Sequence, residues 1–149
     1  MSAASDYTEN RTLDFWLKAN SQTTTAPATV YVALFNSDPS LGSTAENLEA
    51  GTISNECQGG GYERQTASFG TISNGSVSTD ANITFPTATD GNWGTITHIA
   101  VMDSDGEFVS GDSAGSGNVL FYGALDTARE ILQDDTFQIT SGSLTVTLA

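Results

Sequence analysis

The sequence contains one histidine and one cysteine, so chemistry that needs a matched pair of either has little to draw on. His98 lies in Ile96-Thr97-His98-Ile99-Ala100-Val101, a run with strand character. A catalytic histidine needs a nucleophile and an orienting acid beside it. Serines are too frequent here to single one out, so His98 reads as a structural or interface residue. Cys57 follows Glu56, and a neighbouring carboxylate raises a thiol pKa. That is the reverse of what an activated nucleophile requires. One Cys with one His also makes no zinc site.

The acids offer two further candidates. Asp103-Ser104-Asp105-Gly106-Glu107 opens like a calcium loop, but Ala114 stands at the twelfth position, where such a loop needs its closing Glu. An Asp-Gly hairpin turn is the preferred reading. A weak calcium site at Asp103 and Asp105, with Asp112 adding from the next loop, is the alternative. Asp126, Arg129, Glu130, Asp134 and Asp135 form a second cluster. Paired carboxylates can serve a glycosidase. In a chain with eighteen acids, though, such clusters arise by default and read as solvated surface. Gly59-Gly60-Gly61 lacks the Lys-Ser or Lys-Thr ending of a phosphate-binding loop. The expectation is therefore no catalytic residue, no cofactor and no metal: the chain does not read as an enzyme.

Charge narrows the partners. Eighteen Asp and Glu face four Lys and Arg, a net charge of −14 across 149 residues. Binding nucleic acid takes cations that displace counterions from phosphates. This composition excludes that class and disfavours anionic membranes. No run approaches the ~20 apolar residues of a membrane span. The N-terminal residues lack the basic start and apolar run of a secretory signal, so synthesis in the host cytoplasm is expected.

The elements that would position these residues come next. Residues 6–20 form the one good helix candidate. Asp6 and Glu9 have capping-box spacing, and Leu13, Trp16 and Leu17 share a face. A polar linker, Ser21 to Pro27, follows. Thr29 to Asn36 is apolar on both faces and reads as a central strand. Residues 37–61 are the longest irregular stretch and read as a mobile or partner-binding loop. Strands follow at Tyr62–Phe69, Val77–Phe85, Thr95–Met102, Phe108–Val109, Val119–Leu125, Phe137–Ile139 and Leu144–Leu148. Asn74-Gly75 is a strong hairpin signal. The fold class is all-β: a β-sandwich or jelly roll of about eight strands with a short N-terminal helix. The chain divides into a helix and linker arm, 1–28, and a sandwich domain, 29–149. Expected interface residues are Tyr7, Leu13, Trp16 and Leu17 on the arm, with Tyr62 and Trp93 on the domain. Trp93 could equally pack as a plug.

The ordered motifs Asp6-Tyr7-Thr8-Glu9-Asn10, Val30 to Pro39, Gly59 to Gln65, Ile83 to Ala88, Trp93 to His98, Leu120 to Leu125 and Gly142 to Leu148 resemble a family of small tailed-bacteriophage virion proteins. The resemblance covers nearly the whole chain. Members are often labelled tail fibre proteins, and similar small β proteins decorate or cement capsids. The resemblance implies a non-enzymatic structural protein of the virion. The first expectation is a capsid decoration (cement) protein on the outer capsid surface. It would bind the major capsid protein and itself as a homotrimer, without nucleic acid or membrane. The alternative is a tail fibre or receptor-binding tip module that binds host surface glycan.

Overall fold

The computed structural model describes residues 2–18, 25–106 and 116–148. Its central strand, β2 (Val30–Asn36), alternates apolar residues on both faces, and both faces are covered. Val32 and Leu34 enter one hydrophobic cluster; Ala33 and Phe35 enter another.

The elements in chain order are β1 (Ala3–Ala4), α1 (Asp6–Leu17), β2, a 3-10 turn at Pro39–Leu41, α2 (Thr44–Glu49), β3 (Gln65–Ala67), β4 (Ser76–Ser78), β5 (Ile83–Thr87), β6 (Gly94–Met102), β7 (Val119–Ile131), β8 (Thr136–Ile139) and β9 (Thr145–Thr147). Five strands form one antiparallel sheet in the order β1-β7-β6-β2-β3. Two antiparallel ribbons, β4 with β9 and β5 with β8, make the second layer. Their outward faces carry hydroxyl pairs, Ser78 with Thr145 and Thr87 with Thr136. This is the all-β, sandwich-like fold with a short N-terminal helix that the alternation predicts.

Between sheet and ribbons, Val32, Leu34, Ile96 and Ile99 meet Ile83, Phe85, Phe137 and Ile139. The other face of the sheet is closed by Leu48 of α2 and Ile53, packed on Phe35, Ala100, Met102 and Val119. Burying each large side chain contributes roughly 1.5–3 kcal/mol. The two clusters therefore hold the sheet from both sides.

Several local expectations change. The 37–61 stretch is ordered, with a helix capped by Ser43 and with Leu48, Ile53, Asn55, Glu56 and Cys57 buried. Its apolar residues are too widely spaced to show a period, which hid their role. The expected Val77–Phe85 strand breaks between β4 and β5. There Thr79 N–H donates to Leu144 and Asp80 N–H to Ser68, so the chain changes partners. Pro86 does not end β5. It sits at a register shift between Thr84 and Thr87, where its missing N–H leaves no ladder bond unmade. The Asn74-Gly75 turn is present, with both residues at positive φ as the tight hairpin turn demands. β7 runs on to Ile131, so Asp126, Arg129 and Glu130 lie on a strand rather than in a loop. Within it the chain advances from Ala124 to Arg129 while β6 moves only from His98 to Ile96, a pronounced bulge. The strand expected at Phe108–Val109 lies outside the described residues.

Candidate functional site

Each residue that sequence chemistry singled out has a definite place. Cys57 is buried, and its thiol is pushed up to about 11, first by burial and further by the charge of Glu56. His98 sits on β6, its Nδ1 2.9 Å from Thr97 Oγ1, and burial lowers its pKa. Asp103 spends its carboxylate on the turn: Oδ1 accepts from Asn118 N–H at 2.7 Å and Oδ2 from Asn118 Nδ2 at 2.8 Å. Asp135 Oδ2 likewise accepts from Leu132 N–H at 3.0 Å. Among the described residues, no three His, Cys, Asp or Glu side chains converge to hold a metal.

The densest polar cluster is internal. Arg64 forms a bidentate ion pair with Glu56, and Arg64 Nη1 also donates to the carbonyls of Ser104 and Ser116 at 2.8 and 2.7 Å. Tyr62 OH donates to Glu56 at 3.1 Å and accepts from Leu34 N–H at 3.0 Å. Burial, and then the Glu56 charge, raise the Tyr62 pKa well above that of a free tyrosine. This cluster ties the 37–61 segment to β2 and to the neck of the turn after β6.

Tyr62 and Trp93, expected at an interface, lie in the core instead. Tyr62 stacks on Phe85, and Trp93 meets Tyr62 edge-on. Trp93 Nε1 donates to Gly60 O at 2.9 Å, so its one polar atom is satisfied internally. Of the two roles weighed for Trp93, the structure gives packing. Gly59 is required beside it, because a Cβ there would meet Trp93 Cδ1 at 2.0 Å.

The expected residues that do reach the surface are on α1. Leu13 is 56 % exposed, Phe15 45 %, Trp16 76 % and Leu17 75 %, and no α1 residue is buried. A twelve-residue helix is marginal by itself. Ser5, the N-cap, moors this one. Its Oγ accepts from Thr8 N–H and donates to Val119 O, and its N–H donates to Leu120 O at 3.1 Å. The cap is thus Ser5, one residue before the Asp6 expected from the capping-box spacing. Between α1, residues 25–27 and β7 runs a groove of about 490 Å³. Tyr7, Thr8, Arg11, Phe15, Trp16 and Asp103 are among the residues that line it. The Arg11 guanidinium lies over the Tyr7 ring, 5.3 Å from its centroid. Phe15, which lies off the Leu13–Trp16–Leu17 stripe, was not among the expected interface residues.

Compared with known proteins, residues 3–147 match the family model described as podophage GP4 fiber I protein gp80. The chain belongs to this family. A search of curated proteins found no match. The podophage fiber family makes this a phage virion structural protein, the coarser of the two statements the sequence motifs implied. The matched span takes in β1 and α1 at one end and β9 at the other. The exposed helix is thus inside the region that the fiber family model describes.

Proposed function

We propose that this chain is a fibre component of a podophage virion, that it acts by binding rather than catalysis, and that the outer stripe of α1 is its contact with a neighbouring virion subunit. The match to a fiber family over residues 3–147 carries this reading. It favours the fibre alternative over capsid decoration, which the sequence had put first. The helix supplies the means. Three of the eight large apolar side chains exposed among the described residues, Leu13, Trp16 and Leu17, lie on this stripe. A contiguous patch of that kind marks an interaction surface.

Copy number per purified virion, counted against the major capsid protein by quantitative mass spectrometry, tests the location. A small fraction of the capsid count is expected. A ratio near one to one would return the protein to the capsid shell as a decoration protein. A Leu13→Glu, Leu17→Glu double variant that still folds should be missing from virions, and full incorporation would reject α1 as the contact.

A further inference from the structure

A third apolar group belongs to neither core cluster. A pit of about 290 Å³ is lined by Val30, Leu120 and Phe121 of the sheet and by Val77 and Val146 of the β4–β9 ribbon. Every residue in its lining is apolar, and Val30, Phe69, Val77, Leu120 and Phe121 stay only half-buried. Ile72 belongs to the same lining and is 74 % exposed. The backbone holds it on both sides: Gly70 N–H donates to Ser78 O at 3.0 Å, and Ser73 N–H to Ser76 O at 2.9 Å. The side chain is therefore presented from a bonded hairpin, an apolar knob beside an apolar hole. Leu148, also exposed, is tied to that hairpin by its N–H, which donates to Gly75 O at 2.8 Å. Charge is missing from these stretches. Residues 65–79 and 136–148 contain no Asp, Glu, Lys or Arg, in a chain whose net charge is −14.

We infer that this face pairs two copies of the chain about a two-fold axis, with Ile72 of each copy seated in the pit of the other. Knob and hole lie together, so a reciprocal fit makes the same contact twice, as closed two-fold pairing requires. Charge selects the occupant. Two chains of net charge −14 repel each other wherever their acids face. They meet closely only where acids are missing, as they are here. A different protein would be drawn in by basic side chains set against the acids, and a face stripped of charge gives it no such hold. A polar ligand would lose its hydrogen bonds to water in a pit that has no polar side chain to replace them. The pairing gives a count of two, where the resemblance to virion proteins implied three. It is independent of the fibre reading and of the α1 contact, which uses other residues.

Sedimentation equilibrium of the full chain, over a dilution series, tests the pairing. A reversible monomer–dimer equilibrium is expected. Added salt should tighten it, because screening removes repulsion between the acids and the contact itself contains no ion pair. Ile72→Glu should weaken dimerisation at least tenfold with an unchanged circular dichroism spectrum. If that variant fails to fold, Ile72→Ser takes its place with the same expectation. Leu17→Glu, on α1, should leave the dimer intact. A chain that stays monomeric at its highest soluble concentration, a trimer, a dimer that salt dissociates, a dimer lost on Leu17→Glu, or one that survives the Ile72 variants would each overturn the inference. Because virion copy number does not enter this assay, a failure here leaves the fibre reading to stand or fall separately.

Discussion

Arg64 donates from Nε and Nη2 to the two carboxylate oxygens of Glu56, each at 2.7 Å, with both side chains fully withdrawn from water. Removing one member of such a pair strands a buried charge, at a cost of ~3–5 kcal/mol. Arg64→Met should fall in that range and destabilise more than Glu56→Gln, because the Ser104 and Ser116 carbonyls also lose their donor. The double variant should recover part of the loss. Urea denaturation of the three variants checks the ordering. An Arg64→Met chain as stable as the parent would remove this pair from the account of the fold.

The two sides of the molecule should respond oppositely to truncation. Phe35 is fully buried between β2, β6 and the 37–61 segment, so Phe35→Ala should cost ~3–5 kcal/mol. Trp16→Ala removes a larger side chain that is 76 % exposed, and in the isolated chain should stay within about 0.5 kcal/mol. Thermal melts of the two variants give the contrast directly. A large loss from Trp16→Ala would mean the helix face is already covered, for instance by self-association.

Ser5 joins helix to sheet, so its loss should be felt locally. Ser5→Ala deletes both the cap and the bond to Val119, worth about 1–2 kcal/mol for the cap alone. Hydrogen exchange should quicken across Tyr7–Leu17 while β2 and β6 stay protected. Uniform quickening everywhere would instead show that α1 and the sheet open together.

Cys57 gives a pH signature. Burial lifts its folded pKa to about 11, above the 9.0 of an ordinary thiol, so the neutral thiol is the form the fold favours. That stabilisation is complete below pH 9 and is lost as pH climbs toward 11, by about 2–3 kcal/mol from this group. Tyr62 should add to the fall in the same alkaline direction. His98 acts at the other end. Its lowered pKa means stability declines as pH drops below 6.5. Denaturation midpoints across pH 5–11 would trace both limbs. Alkylation of Cys57 at pH 7 should proceed only after unfolding; rapid labelling of the native chain would contradict its burial.

What the sequence disclosed followed from periodicity. The two-faced alternation of Val30–Asn36 is plain in the residues, and it fixed the central strand. The Asn74-Gly75 turn was equally plain, since few residue pairs tolerate that backbone. The α1 stripe was also legible, because amphipathic spacing survives whether or not anything covers it. The 37–61 segment was not. Leu48, Ile53 and Cys57 reach the core singly, from a short helix and irregular chain, and no period links them. The Glu56–Arg64 pair was hidden for a related reason: a charged residue in an acidic chain reads as surface until a partner from elsewhere is brought to it. The groove depends on residues 25–27 lying beside α1, a tertiary placement with no local code.

The bulge in β7 bears on how many copies can share a crowded space. Strands that end a sheet with a straight, apolar rim act as templates onto which further chains add, and protein is then lost to fibrils. Here the rim is capped by β1 only at Phe121 and Tyr122. Beyond that point the stretch from Leu125 to Ala128 buckles out of register with β6 and carries Asp126 in its midst. An incoming strand would find neither matched spacing nor a flat surface. Along this stretch the β7 edge is therefore closed to the edge-to-edge zippering that would otherwise draw in a neighbouring strand.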